Sequence, residues 1–164
     1  MTKKSSIYTI SLSLHYYTRR MFSKTCEYAL RALILIAGKS KEGLKVGIKE
    51  IAEGIDAPEK FIAKILHELT KHGLVLSVKG PGGGFFLDKK LLNNSLAEVV
   101  KAIDGDNLFV GCALGLPSCS ETQPCPLHNQ FKRVRKEIFE MLQNAKIGEL
   151  QEQLESKLAF LKQQ

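Results

Sequence analysis

Apolar residues along the chain recur at the three- and four-residue spacing of amphipathic helices in six places, and run short and continuous in two. From Ser23, the residues Tyr28, Ala29, Ala32, Leu33 and Ile36 share a face, and Gly38 is expected to end that helix. A brief helix follows on Ile48, Ile51, Ala52 and Ile55. Asp56-Ala57-Pro58-Glu59 reads as a helix start, with Asp56 as cap, Pro58 in the first turn and Glu59 closing a capping box. The helix it opens turns Phe61, Ile62, Ile65, Leu66 and Leu69 inward and ends at His72-Gly73. Leu74–Val78 and Phe85–Leu87, joined by Lys79-Gly80-Pro81-Gly82-Gly83-Gly84, predict a β-hairpin. Ser95-Leu96-Ala97-Glu98 is a second capping box, opening a helix through Ile103. The segment 112–125 has no period and reads as a loop. Pro126 to about Ala145 carries the stripe Phe131, Val134, Ile138, Met141 and Leu142, and a last helix repeats Leu150, Leu154, Leu158 and Leu161.

This order predicts a mainly α fold with a small β-hairpin: a winged helix-turn-helix domain followed by a long helix. The stretch from Gly54 to Pro58 is the tight turn between the paired helices. In that geometry the second helix of the pair enters a major groove of double-stranded DNA, and the hairpin tip touches backbone or minor groove. The expected division is a disordered extension over 1–20, a DNA-binding domain over 21–105, a cysteine loop over 106–128, and a dimerisation helix with a C-terminal helix over 129–164.

Charge refines this reading. The 164 residues carry a net +7, but residues 1–20 hold Lys3, Lys4, Arg19 and Arg20 with no acid. Residues 21–90 have 12 basic and 8 acidic side chains, and 91–164 have 8 and 9. Outside the tail, only the first half of the chain is basic, as a local anion-binding face requires. Residues 1–20 faintly resemble a signal peptide, but polar residues and His15 break the apolar stretch and no small-residue cleavage site follows. The longest apolar run, Ala32 to Ala37, is six residues, whereas a membrane-spanning helix needs about 20. A soluble, cytoplasmic protein without membrane contact is expected.

The most specific chemical signal is Cys112-x6-Cys119-x5-Cys125-x2-His128. Thiolates and imidazole are the ligands that soft metal centres select, and three cysteines cannot pair completely as disulfides. Structural zinc sites usually have Cys-x2-4-Cys knuckles, which are absent, so zinc remains a competitor while the wide spacing suits an iron–sulfur cluster. His128 follows Cys125 by about one helical turn and can face the same centre, whereas His15, His67 and His72 have no such company. Cys26, on an apolar helix, reads as core. The glycine turn lacks the Gly-Lys-Ser/Thr ending of a phosphate loop and precedes a strand, so it reads as a wing tip. The outer face of the 57–72 helix is only weakly basic, because Glu59 and Glu68 offset Lys60, Lys64 and Lys71. No catalytic triad, carboxylate pair or His-Glu-x-x-His motif occurs, so neither an enzyme nor a small-molecule substrate is expected.

From Met21 to about Leu150 the chain resembles the IscR/NsrR/CymR family of bacterial winged-helix transcription regulators. The likeness is carried by Tyr28-Ala29-Leu30-Arg31-Ala32-Leu33, Ile48-Lys49-Glu50-Ile51-Ala52, Lys71-His72-Gly73-Leu74-Val75 and Ser77-Val78-Lys79-Gly80-Pro81-Gly82-Gly83-Gly84. Glu98 to Gly105, the three cysteines and Ile147-Gly148-Glu149-Leu150 complete it. The resemblance implies a homodimer joined through the 126–145 helix, palindromic DNA half-sites, and a cluster on Cys112, Cys119 and Cys125. His128 matches the fourth ligand of members with a 2Fe-2S cluster. Glu27 falls where other members place an acidic ligand from the other subunit, and a 4Fe-4S cluster is the alternative. Ligand softness favours His128. In the winged-helix reading Lys60, Lys64 and Ser77 are expected near bases or phosphates, and Lys79, Gly80 and Gly82 near backbone or minor groove. Ala63-Lys64 stands where relatives carry Glu-Gln, so their operator sequence does not transfer. The reading is a regulator sensing iron–sulfur status, redox state or nitric oxide; the alternative is a cluster-free or zinc-stabilised winged-helix regulator or interaction module.

Overall fold

The computed structural model describes residues 21–156; the expected extension 1–20, and Leu158 and Leu161 of the last helix, lie outside the described residues. Within them the chain forms α1 (Lys24–Lys41), α2 (Ile48–Gly54), α3 (Glu59–Lys71), β1 (Leu76–Val78), β2 (Gly84–Phe86), a 3-10 turn (Leu91–Asn93), α4 (Leu96–Asp104), α5 (Asn107–Val110), α6 (His128–Asn144) and α7 (Ile147–Glu155). The fold is mostly helical with one small antiparallel hairpin, as expected.

Helix α1 is the centre of the core. Its inward face is built from Cys26, Ala29, Ala32, Leu33, Ile36 and Ala37, all at 0% exposure. Ser23 caps it by accepting the Cys26 N–H at 3.0 Å, and its own N–H donates to Asp104 Oδ2 at 2.8 Å, tying the start of α1 to the end of α4. The helix does not stop at Gly38; it continues to Lys41. Gly38 serves close approach instead, since a Cβ there would lie 2.5 Å from Gln151 Nε2 on α7. Lys41 reinforces that contact with bonds to the Gly148 carbonyl (3.1 Å) and Glu152 (2.8 Å).

Helices α2 and α3 form the helix-turn-helix, with Ile62, Ile65, Leu66 and Leu69 of α3 buried against the core. The expected cap at Asp56 is not formed. The Ala57 N–H bonds back to the Ala52 carbonyl at 2.9 Å, and Asp56 takes the left-handed turn (φ +52°) between them. Pro58 therefore becomes the N-cap without a side-chain bond, and Glu59 begins the helix rather than closing a capping box. The second box is formed: Ser95 N–H donates to Glu98 Oε2 at 2.6 Å and Glu98 N–H to Ser95 Oγ at 3.3 Å.

The hairpin pairs Leu76 with Phe86, Ser77 with Phe85 and Val78 with Gly84. It is shorter than the apolar runs suggested, because Leu74 and Val75 turn into the core instead of pairing. Val46 exchanges backbone bonds with Phe85 (3.0 and 2.9 Å), and a Cβ on Gly84 would stand 2.8 Å from the Val46 carbonyl oxygen.

Two short elements escaped the periodicity: the 3-10 turn and α5. Phe109 of α5 packs edge-to-face on Phe139 of α6, with centroids 5.2 Å apart. Helix α6 begins at His128, two residues later than Pro126 suggested. Of its stripe, Leu142 is buried, while Phe131, Val134 and Met141 are exposed.

Candidate functional site

Two groups of candidate residues lie on different parts of the fold. On the helix-turn-helix, Lys60 and Lys64 are exposed on the outward face of α3, opposite its buried stripe. Ser77, Lys79, Gly80 and Gly82 are exposed on the wing, and Gly80 and Gly82 have φ of +97° and +71°, which only glycine adopts readily. None of Lys60, Lys64 and Lys79 has an ion-pair partner among the described residues, so each charge is available to a phosphate. Sequence reasoning missed two further cations. Lys24 and Arg31 of α1 stand over the Tyr28 ring, 4.6 and 4.8 Å from its centroid, and Tyr28 meets Phe61 of α3 edge-on at 5.8 Å. The aromatic pair carries these charges alongside α3; the signal was the i, i+3 spacing of Tyr28 with Arg31. The turn before α3 is acidic by contrast, with Glu53, Asp56 and Glu59 around a shallow cavity of about 400 Å³.

In the second group, the structure joins some of the expected ligands and not others. Cys112, Cys119 and Cys125 are free, half-buried thiols. Cys119 Sγ lies 3.3 Å from His128 Nδ1, and His128 is only 4% exposed. His128 is anchored by its own N–H, which donates to the Cys125 carbonyl at 3.0 Å. Its Nε2 stands 3.4 Å from Glu121 Oε2, outside hydrogen-bond geometry, so this buried nitrogen is left without a hydrogen-bond partner. Glu121 is held below the usual carboxylate range, first by its bond to Lys132 (2.6 Å) and then by His128.

Cys112 borders a different cavity from Cys119. Its thiol pKa is held down first by the backbone N–H groups of Leu116 and Leu114, and further by the Arg135 charge. Two cavities meet at Arg135: one of about 590 Å³ that includes Cys119, and one of about 490 Å³ that includes Cys112. Neither is lined by Glu27, which sits in the first turn of α1, 3.4 Å from Lys24. Among the described residues no three His, Cys, Asp or Glu side chains converge. Cys26 is core, as expected, with burial and then Asp104 pushing its thiol up to about 12.

Comparison with known proteins settles the family. The sequence profile of Rrf2, described as an iron-dependent transcriptional regulator, matches residues 22–153. The chain belongs to the Rrf2 family. An HTH-type transcriptional regulator of Aquifex aeolicus is similar at 34% identity over 132 residues, covering 79% of this chain and 90% of that one. The regulator NsrR of Oceanobacillus iheyensis is similar at 30% identity over 139 residues, covering 84% and 94%. In fold, the chain is similar to the global cysteine regulator CymR of B. subtilis, with a TM-score of 0.66 at 21% identity over 80% of this chain and 95% of that one. This Rrf2 chain is accordingly a DNA-binding transcriptional regulator and not an enzyme, and among its described residues no helix is long and apolar enough to cross a membrane.

Proposed function

We propose that this Rrf2 protein is a cytoplasmic homodimeric regulator whose grip on palindromic DNA responds to an iron–sulfur cluster. The carrying observation is the pairing of the Cys119 thiol with a buried imidazole, His128, on the first turn of a helix with an exposed apolar face. The donor set fits: three thiols, one imidazole, and a buried ring nitrogen without a hydrogen-bond partner. Cys112, Cys119, Cys125 and His128 would hold the cluster, with 2Fe-2S favoured over 4Fe-4S, and Glu27 of a second copy is the alternative fourth ligand. When bound, the cluster supplies one-electron chemistry and reactivity toward nitric oxide. The residues themselves do the coupling. The 106–128 loop joins the end of α4 to the start of α6, so bringing Cys112 toward Cys119 changes the angle at which α6 leaves the 21–105 domain.

Phe131, Val134 and Met141 are the apolar face on which a second copy would pack. Half-sites in successive major grooves are about 34 Å apart, so a small rotation at that face is magnified at the two α3 helices. Lys60, Lys64 and Ser77 approach bases or phosphates, while Lys79, Gly80 and Gly82 approach backbone or minor groove.

A cluster-free reading is favoured by one observation: no three ligands converge among the described residues. In it the same loop answers to thiol chemistry, to zinc or to a protein partner. Anaerobic purification with iron and sulfide counts and an absorption spectrum, repeated for His128→Ala and Glu27→Ala, decides between the readings. The cluster reading expects a coloured protein whose spectrum changes in His128→Ala and not in Glu27→Ala, and whose operator affinity shifts on removal of iron. A colourless protein, or equal affinity with iron loaded and stripped, overturns it.

A further inference from the structure

The cations around the two cysteine cavities are paired with carboxylates, with one exception. Lys132 meets Glu121 at 2.6 Å, Lys101 meets Asp106 at 3.7 Å and Lys136 meets Glu140 at 3.6 Å. Arg135 has no carboxylate partner among the described residues. Its Nη1 donates to the Gly111 carbonyl at 2.8 Å and its Nη2 to Cys119 Sγ at 3.2 Å.

The placement follows from helix geometry. Arg135 lies seven residues after His128 on α6, close to two turns at about 3.6 residues per turn, so the two share a face. Long helical side chains lean toward the N-terminus, which carries the guanidinium back toward His128. Cys119 is thereby held from two points on one helix: His128 Nδ1 at 3.3 Å and Arg135 Nη2 at 3.2 Å. The other arm of the fork holds the loop where it leaves α5. Only arginine among the basic residues presents two such donors in one rigid plane.

We propose that Arg135 is the positioning residue of the cysteine loop: its fork joins the backbone at Gly111 to the Cys119 sulfur, so that the order of residues 111–119 and the charge on that sulfur both reach α6 through one side chain. The inference rests on the reading of Cys119 as a cluster ligand. A guanidinium brings a positive charge with its donors, and hydrogen bonds to ligating sulfurs set the reduction potential of the centre they surround. Donation to Cys119 stabilises added negative charge and raises that potential. The same bond, with its twin at Gly111, fixes the loop when no iron is present.

The test uses the full chain with two substitutions, Arg135→Gln, which removes the charge, and Arg135→Lys, which keeps the charge and loses the fork. Amide hydrogen exchange over 111–119 is measured on the iron-free protein, with the α1 amides as internal control. The midpoint potential is measured on protein reconstituted anaerobically. Loss of a charge-assisted bond is expected to speed exchange over 111–119 roughly tenfold in both variants while α1 is unchanged. The potential is expected to fall in Arg135→Gln and to be restored in part by Arg135→Lys. Unchanged exchange over 111–119 overturns the proposal, and so does an unchanged potential in Arg135→Gln, which would reduce Arg135 to a structural contact. If the unsubstituted protein takes up no iron, the cluster reading fails on its own, and the exchange measurement still decides the role of Arg135.

Discussion

The core around α1 and the loop from Gly111 to the start of α6 are held together in different ways. Leu33, Ile36, Ile51, Ile62, Leu66, Leu69 and Val99 are completely buried in one continuous cluster, and no single contact decides whether they stay there. In the cysteine segment, Leu114 and Leu116 are about half exposed, as are Val134 and Met141 on α6. What order the segment has comes from a few directional contacts: His128 and Arg135 on Cys119, Arg135 on Gly111, and Lys132 on Glu121. Regions with little apolar burial and a few polar contacts open at lower free energy than the core around them. A segment with the sensing role proposed above must respond to a change at one or two atoms, and directional bonds respond where burial does not.

The largest effect that tests this contrast is on stability. Leu66→Ala, at 0% exposure on α3, is expected to cost about 2–5 kcal/mol in urea unfolding. Val134→Ala, at 44% exposure, is expected to fall within about 0.5 kcal/mol in the monomer. A comparable loss in both would mean that the Val134 face of α6 is packed into the same cooperative core as Leu142. Val134→Ala should instead weaken self-association, read by sedimentation.

Next comes the alkaline limb. The Cys26 thiol ordinarily titrates near 9.0 and is pushed up to about 12 in the fold, by burial first and Asp104 second. Between those values the unfolded chain has lost the proton and the folded chain keeps it. The contribution is therefore complete below about pH 9 and is lost as pH rises toward 12, at up to about 1.4 kcal/mol per pH unit. Cys26→Ala should flatten that limb relative to the unsubstituted protein. Cys112→Ala should leave it unchanged, since the Cys112 thiol is shifted the other way.

The same contrast explains what was legible in the sequence. The periodic faces of α1, α3 and α4 appeared as core because burial leaves a repeating trace, and the Ser95/Glu98 box appeared because capping is local. The failures lie where a distant segment intervenes or where a turn closes on backbone alone. Gly38 looked like a helix stop because α7, more than a hundred residues away, was invisible when it was read. Asp56 looked like a cap because the Ala57–Ala52 bond that closes the turn has no sequence signature. In the cysteine segment, composition and spacing singled out the three thiols and His128, and the structure brings Cys119 and His128 to 3.3 Å of each other. Arg135 was not found: an arginine on a helix reads as a solvated charge until the loop it reaches has been placed.

On DNA the contrast becomes one between unpaired and paired cations. Lys79 on the wing has no ion-pair partner among the described residues, whereas Lys132 on α6 is paired with Glu121 at 2.6 Å. Lys79→Ala is expected to reduce the slope of log affinity against log salt by about 0.9, the value for one phosphate contact. Lys132→Ala is expected to leave the slope unchanged. A drop in the second alone would move the DNA-facing surface from the wing to α6.

The smallest effect separates the two regions most finely. Glu121 is held below the usual carboxylate range by Lys132 first and His128 after it. A carboxyl whose pKa is lowered in the folded state releases its proton more readily there than in the unfolded chain, so the stability it contributes is present above its unfolded value and is lost as pH falls through its folded value. That window lies below the ordinary glutamate value of 4.5. Because the side chain is 65% exposed, the loss should be small and local. Peptides covering 119–128 should gain exchange in this window ahead of those in α1, and Glu121→Gln should abolish the pH dependence of the former only. If the substitution instead moves the global acid midpoint as far as it moves the loop, the segment unfolds with the core, and the directional contacts described above are not what governs its order.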